Sequence, residues 1–364
     1  MRAVEHLVIG AGAVGCSVAF HLAARGREVR VVDSGAVGGG TSSAGFGLIW
    51  SAGKSPKHYL ELSLASQRYY PEFLDAIGDR VDYDHQGGMI VLQDEAKRRE
   101  VWPIVQALLG TDGFVTELLE PEEARRREPA LGPDIAGAIF SPHEAHLTPT
   151  RLVPVIAAAA RRAGAHIAEH DPVRALGRDG DGWRVATASG VLRAARVTIC
   201  AGVWTRPVAA LAGVDVPIFP DKGQVLQTAP QPPLIRFPGV DVRQASDGRI
   251  WMGTIHAGDQ GFNLSLRDDY TSQIRALARS QFPSIADLPA ERIWAGLRPM
   301  PIDGLPILGA VPGAPNLFVA AGHSGITLNP IQGRLMAVLL DGDALDPLIA
   351  PYSLARFGAA VGAD

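Results

Sequence analysis

The sequence predicts an α/β fold in which a parallel-sheet domain, assembled from separated stretches, carries a second, mainly antiparallel α+β domain. Three observations predict it. The chain opens on an apolar run, a glycine-patterned turn, a helical stretch and a β-rich run: LVIGAGAVGCSVAFHLAARGREVRVVD over 7–33. RVTICAG at 196–202 is a near-continuous apolar run, as a strand buried on both faces should be. LFVAAGHSGITLNPIQGRLMAVLL at 317–340 repeats the opening order of strand, glycine turn and helix. With 364 residues, 47% of them hydrophobic, the chain exceeds the ~250–300 residues at which single cores stop growing.

The opening is a dinucleotide fingerprint, which makes the expected first domain Rossmann-like. Gly10, Gly12 and Gly15 stand in G-x-G-x-x-G spacing. The first glycine makes the tight turn, the second lets backbone approach a pyrophosphate, and the third lets helix pack on strand. Ala13 and Val14 begin a helix whose N-terminal N–H groups and partial positive charge suit a diphosphate. Asp33 closes the second β-rich run, placed to accept from a ribose 2′-OH, and Ser34 follows it. The carboxylate would repel the 2′-phosphate of NADP. The fingerprint alone does not separate FAD from NAD.

The remaining elements follow from pattern. The Gly/Ser-rich stretch 34–53 reads as a loop whose small residues suit close contact with a flat cofactor. Helical spacing runs over 58–77, 95–108, 120–129, 147–165 and 268–281, and GGMIVLQ at 87–93 reads as a strand. Asp179–Gly182 and Ser189-Gly190 read as turns of a small hairpin region, and Asp247-Gly248 as a hairpin turn between strands in 216–257. The first domain is thus expected from three pieces, 1–79, 146–215 and 291–364. The second takes 80–145 and 216–290, and ligands should sit in the crevice between them.

Composition narrows the function. A formal charge of −4 and no basic stripe give no nucleic-acid partner. Arg125, Arg126 and Arg127 stand beside Glu120, Glu122, Glu123 and Glu128, as on a salt-bridged helix face. Cys16 and Cys200 read as small buried hydrophobes of a reducing, cytoplasmic setting, and the 10 histidines show no metal-ligand spacing. No stretch reaches ~18 uninterrupted apolar residues, so no membrane span is expected.

The fingerprint, the loop GGTSSAGFG at 39–47 and the pair GLRPMPIDGLPILG (296–309) and NLFVAAGHSGITLNP (316–330) together resemble the D-amino acid oxidase superfamily of flavoproteins. The chain is most similar to the glycine oxidase branch and to flavin subunits of opine and hydroxyproline dehydrogenases. The resemblance implies a glutathione-reductase-type FAD domain, non-covalent FAD and oxidation of the C–N bond of an amino acid or secondary amine. Thr41, Ser42, Ser43, Gly47 and Leu48 match the loop beside the diphosphate and isoalloxazine. Val173 matches the residue meeting adenine, and Ala201, Gly202 and Trp204 match the turn beneath the cofactor. Gly322, His323, Ser324, Gly325, Ile326 and Thr327 match the loop along the flavin's pyrimidine edge. Where some relatives hold flavin through a cysteine, this chain has Gly296.

Arg298 matches the arginine that grips the substrate carboxylate. A second family arginine falls in a two-residue gap after Gly322-His323, and a tyrosine that assists the carboxylate aligns with Asp241. His256 aligns with a pocket-lining residue, and is read either as a substrate contact or as an incidental hairpin histidine. The implied chemistry is hydride transfer to flavin N5, giving an imine that hydrolyses to a carbonyl compound. Three alternatives stay open: a flavin subunit passing electrons to a partner, a non-catalytic dinucleotide-binding scaffold, and an NAD-dependent dehydrogenase. A homo-oligomer and partner electron-transfer subunits are both compatible with the sequence.

Overall fold

A computed structural model describes residues 3–253 and 255–358. The molecule is α/β. Its largest sheet runs in the order Ile307–Ala310, Leu317–Ala321, Val191–Ile199, Val4–Ile9, Val29–Val32, His166–Ala168. All neighbours pair in parallel except Ile307–Ala310, which closes the edge antiparallel to Leu317–Ala321. The hairpin strands Val173–Asp179 and Gly182–Thr187 hook onto Val191–Ile199.

The glycine pattern explains how the first helix seats. Gly10 has φ +112°, and a Cβ there would lie 2.4 Å from the Cys200 carbonyl oxygen. A Cβ on Gly15 would lie 1.9 Å from the Gly10 carbonyl oxygen. Only glycine lets the helix Ala13–Ala24 rest on the strand end at this distance. That helix is buried against Pro149–Arg162 and Gly325–Leu340 in one apolar core, with Phe73 and Leu74 of Lys57–Ile77. Cys16 and Cys200 are buried in this region, and burial pushes the Cys16 thiol up to about 12.

Two further sheets are antiparallel. One sheet runs Val242–Gln244, Arg249–Met252, Ile218–Pro230, Ala290–Pro301, and a smaller one Gly88–Leu92, Gly137–Ser141, Glu117–Leu119. A shared core of Met89, Val91, Leu226, Met252, Ile274 and Phe282 joins both sheets to the helix Asp268–Gln281. Strand Ala290–Pro301 pairs along its length with Ile218–Pro230, so the expected boundary at 291 falls at the start of a strand of the second sheet. Within the loop expected over 34–53 lie a short helix, Thr41–Ala44, and a two-residue strand, Leu48–Ile49, paired with Ala145–His146.

Candidate active site

Two helix N-termini converge on one cleft. Helices Ala13–Ala24 and Gly325–Leu340 begin on Gly12 and Ser324, and neither has a side-chain cap or an acidic residue in its first turn. The first N–H groups of a helix lack intrahelical acceptors and carry partial positive charge, so both ends favour an anion. The cleft has a volume of about 820 Å³ and is lined by residues of both helix starts. Gly10, Gly12, Ala13, Val14, Asp33, Ser34 and Val173 line it. So do Thr41, Ser42, Gly47, Leu48, Ala201, Gly202, Trp204 and the run Gly322–Thr327.

Local bonds shape these walls. Asp33 accepts from the Ala11 N–H (2.6 Å) and the Gly35 N–H (2.8 Å), and its two oxygens keep further lone pairs toward the cleft. Ser42 Oγ accepts from the Ala13 N–H at 3.1 Å, leaving its own proton to donate. Thr41 Oγ1 donates to the Leu297 carbonyl (2.8 Å), tying the loop to the strand that carries Arg298. Thr327 Oγ1 accepts from the Trp50 N–H and donates to the Leu48 carbonyl, which fixes the last helix against the same loop.

Arg298 and His256 both line the cleft, and both rest on Asp221. Strand register places Asp221 directly opposite Arg298. Arg298 Nη1 donates to Asp221 Oδ2 (3.2 Å) and to the Ile255 carbonyl (2.9 Å). His256 Nδ1 donates to the same Oδ2 (2.6 Å), and Asp221 Oδ1 accepts from the Gly258 N–H (2.8 Å). Burial alone would raise the Asp221 carboxyl. The His256 hydrogen bond and the Arg298 charge outweigh it and hold the group below its usual range. Burial also lowers Arg298, with Asp221 opposing. The Arg298 side chain is 16% exposed, while that of His256 is 59% exposed. Nη2 and Nε of Arg298 have no acceptor among the described residues, which leaves one edge of its planar fork open.

Gly223 lets the arginine lie flat. A Cβ on Gly223 would meet Arg298 Nη2 at 2.7 Å and Nη1 at 2.8 Å. Opposite it in register, a Cβ on Gly296 would meet Ala44 Cβ at 2.9 Å, so two facing glycines press the strand pair against the cofactor loop.

A second polar group on the cleft wall is legible only in three dimensions. Lys54 lines the cleft, and its ammonium donates to Ser324 Oγ and to Tyr59 Oη (3.4 Å). Tyr59 also donates to Ser324 Oγ (3.2 Å), so the Ser324 proton is left for His323 Nδ1 at 3.1 Å. His323 is held well below its ordinary value by burial first, then by the charges of Lys54, Arg298 and His256. It is therefore neutral and able to accept. The lysine's loop is anchored by Glu144, a fully buried carboxylate that accepts from the N–H groups of Ser51 (2.8 Å) and Ala52 (2.7 Å), Ser51 Oγ and Gln67.

Three residues named from the sequence lie off the cleft wall. Gly15 packs helix on strand. Ser43 Oγ donates to the Gly38 carbonyl (2.6 Å). Asp241 accepts from Gln281 Nε2 (3.0 Å), and burial raises its carboxyl despite that bond, so it turns toward the helix Asp268–Gln281. Sequence reasoning does not single out Asp221, Lys54, Tyr59 or Glu144, because none belongs to a local motif.

Comparison with known proteins identifies the family. A family model described as FAD dependent oxidoreductase (DAO) matches residues 5–339. The chain belongs to the DAO family of FAD-dependent oxidoreductases. It is 31% identical to glycine oxidase of Bacillus licheniformis, covering 93% of each chain. It is 28% identical to one of the subunits of opine oxidase from Agrobacterium tumefaciens (strain Ach5), over 99% of each. The crystal structure of glycine oxidase from Geobacillus kaustophilus superposes with a TM-score of 0.90 at 26% identity, covering 98% of this chain and 99% of that one.

FAD is thus the cofactor of this chain, an oxidoreductase of that family. The wall chemistry fits it. The space a Cβ would fill at Gly12 is bounded by Ser42 Oγ at 3.2 Å, and the two uncapped helix starts supply N–H groups for anionic oxygens. No helix among the described residues is long and apolar enough to cross a membrane.

Proposed function

We propose that the protein oxidises the C–N bond of a carboxylate-bearing amino acid or secondary amine. The observation that carries this reading is Arg298: a guanidinium on the cleft wall, with one edge tied to Asp221 and Ile255 and the other open. The open edge grips the substrate carboxylate through two parallel hydrogen bonds, each contributing roughly 1.5–3 kcal/mol net. Bound FAD would supply the two-electron acceptor for a hydride leaving the substrate α-carbon. Arg298 fixes the carboxylate end of the substrate and with it the direction of this C–H bond. The amine enters neutral, so its lone pair forms the C=N bond as the hydride leaves, and water then releases a carbonyl compound.

Asp33 and Val173 would hold the adenosine part of the cofactor, and Ala13, Val14, Thr41 and Ser42 the diphosphate. The amides of Gly325, Ile326 and Thr327, at the uncapped start of their helix, would hold the flavin's pyrimidine edge and stabilise the negative charge of its reduced form. Ala201, Gly202 and Trp204 would support the rings from the cleft wall. His256 is a positioning residue, since it shares the Asp221 oxygen that holds Arg298. Neither Asp241 nor a general base enters this scheme.

Anaerobic addition of glycine, sarcosine, proline, iminodiacetate and D-amino acids to the yellow holoprotein tests it. Bleaching of the visible flavin band by at least one carboxylate amine is expected. Persistence of the oxidised spectrum through the whole panel would refute catalysis of this class.

A second reading concerns the acceptor. The relatives include proteins named as subunits of opine oxidase and of hydrogen cyanide synthase. In this chain Phe262, Leu264 and Leu266 are about half exposed in one loop, with Phe262 stacked on the cleft residue Trp204. Those features support electron delivery to a partner protein. One peroxide per substrate oxidised by the isolated chain in air would oppose it.

A further inference from the structure

The cleft holds two cations, and only one has a carboxylate from the protein. Arg298 meets Asp221. Lys54 is half-buried and bonds only hydroxyls, those of Ser324 and Tyr59, with no carboxylate in ion-pair range among the described residues. The two share no acceptor. Arg298 hangs from the strand Ala290–Pro301, and Lys54 from a loop pinned by Glu144. The nearby imidazole, His323, is kept neutral and offers neither of them a counter-charge.

The ammonium is held in place by these contacts and has no protein carboxylate beside it among the described residues. Tyr59 buttresses it, with the ammonium 4.9 Å from the ring centroid as well as within bonding reach of the hydroxyl. Of its three N–H donors, two are used by hydroxyls and the third is available.

We propose that Lys54 is a second anion anchor, and that the substrate carries an acid group on each side of the reacting nitrogen. The proposal rests on the function given above. Arg298 takes the carboxylate next to the carbon being oxidised, and Lys54 takes the acid group on the other nitrogen substituent. In the reaction one α C–H bond breaks, its hydride reduces FAD, and the nitrogen lone pair makes C=N. Water adds, the C–N bond breaks, and the products are a 2-oxo acid and an amine that keeps the second acid group. Lys54 is a specificity-determining residue in this scheme.

The test compares matched pairs on the holoprotein. Sarcosine, iminodiacetate and N-(1-carboxyethyl)glycine are scored by anaerobic flavin bleaching. Thiodiacetate and (methylthio)acetate, which lack the amine, are scored by calorimetric Kd. The wild type should prefer at least one dicarboxylate amine over sarcosine by 50-fold or more in kcat/KM, and bind thiodiacetate at least 10-fold more tightly than (methylthio)acetate. Lys54→Met should collapse both ratios, and Lys54→Arg should retain them.

Equal treatment of one and two acid groups by the wild type would overturn the inference while leaving carboxylate amine oxidation intact. Ratios unchanged in Lys54→Met would also overturn it, and would return Lys54 to a role at the flavin or the first carboxylate. If no amine bleaches the flavin, the function above fails first, and the two failures are told apart.

Discussion

Replacing Gly223 by alanine displaces Arg298 without touching it chemically. The added Cβ would stand 2.7 Å from Nη2, 2.8 Å from Nη1 and 2.9 Å from Cζ, where ordinary contact begins at 3.4 Å. The guanidinium must therefore retreat by about 0.7 Å, the difference between 3.4 and 2.7 Å. Its 3.2 Å bond to Asp221 has little slack for such a shift before it passes the limit of a hydrogen bond. A 1 Å misplacement of a positioning group costs on the order of 100-fold in rate, so kcat/KM should fall roughly 10- to 100-fold. The backbone at 223 lies outside the left-handed region, and the yielding atoms are the far end of a flexible side chain. Stability should accordingly change by no more than about 1 kcal/mol. Steady-state kinetics with a carboxylate amine and a urea melt check both halves. In an Arg298→Met background the alanine should cause no further loss. Unchanged kcat/KM in the single variant would refute the placement of Arg298 over Gly223 as the substrate grip.

Other expectations concern the scaffold and pH. Gly15→Ala would set a Cβ 1.9 Å from the Gly10 carbonyl oxygen, against backbone that cannot yield. The loss should exceed about 4 kcal/mol, read as failure to retain FAD on purification. Arg298→Met should weaken carboxylate substrates by on the order of 2–4 kcal/mol in transition-state binding, seen as kcat/KM. His21 is buried, donating to the Ser17 carbonyl and accepting from Tyr69 Oη, and burial lowers it from 6.5 to about 4. The unfolded chain therefore binds its proton first as pH falls below 6.5. Stability should drop by on the order of 3 kcal/mol from this group between pH 6.5 and 4. Urea midpoints across that range should be less steep in His21→Phe than in the wild type, whatever the variant's stability at neutral pH.

The parallel-sheet domain is legible in the sequence because its information is local. Three glycines, a helix and Asp33 fall within one short run, and each has a steric or electrostatic reason visible in the spacing. Arg298 comes from resemblance alone; nothing in GLRPM says that a glycine on another strand and a buried aspartate hold it. Asp221 lies 77 residues away from Arg298, and Lys54 lies 270 from Ser324, distances at which no periodicity connects the partners. Asp241 shows the converse. Its place in the aligned stretch is right for a pocket, but the direction of its side chain is set by Gln281 on a helix packed behind the sheet. The expected boundary at 291 assigns residues 291–301 to the first domain, and their hydrogen bonds run to Ile218–Pro230, a pairing that no local pattern in either segment announces.

The most direct measurement is a titration of oxidised holoprotein with (methylthio)acetate, followed in the visible flavin spectrum. A carboxylate held by Arg298 against the isoalloxazine should perturb the band saturably in the wild type and leave it unmoved in Arg298→Met at the same concentrations. An equal perturbation in both proteins would mean that the carboxylate binds the flavin face without this arginine, and would contradict the site described above.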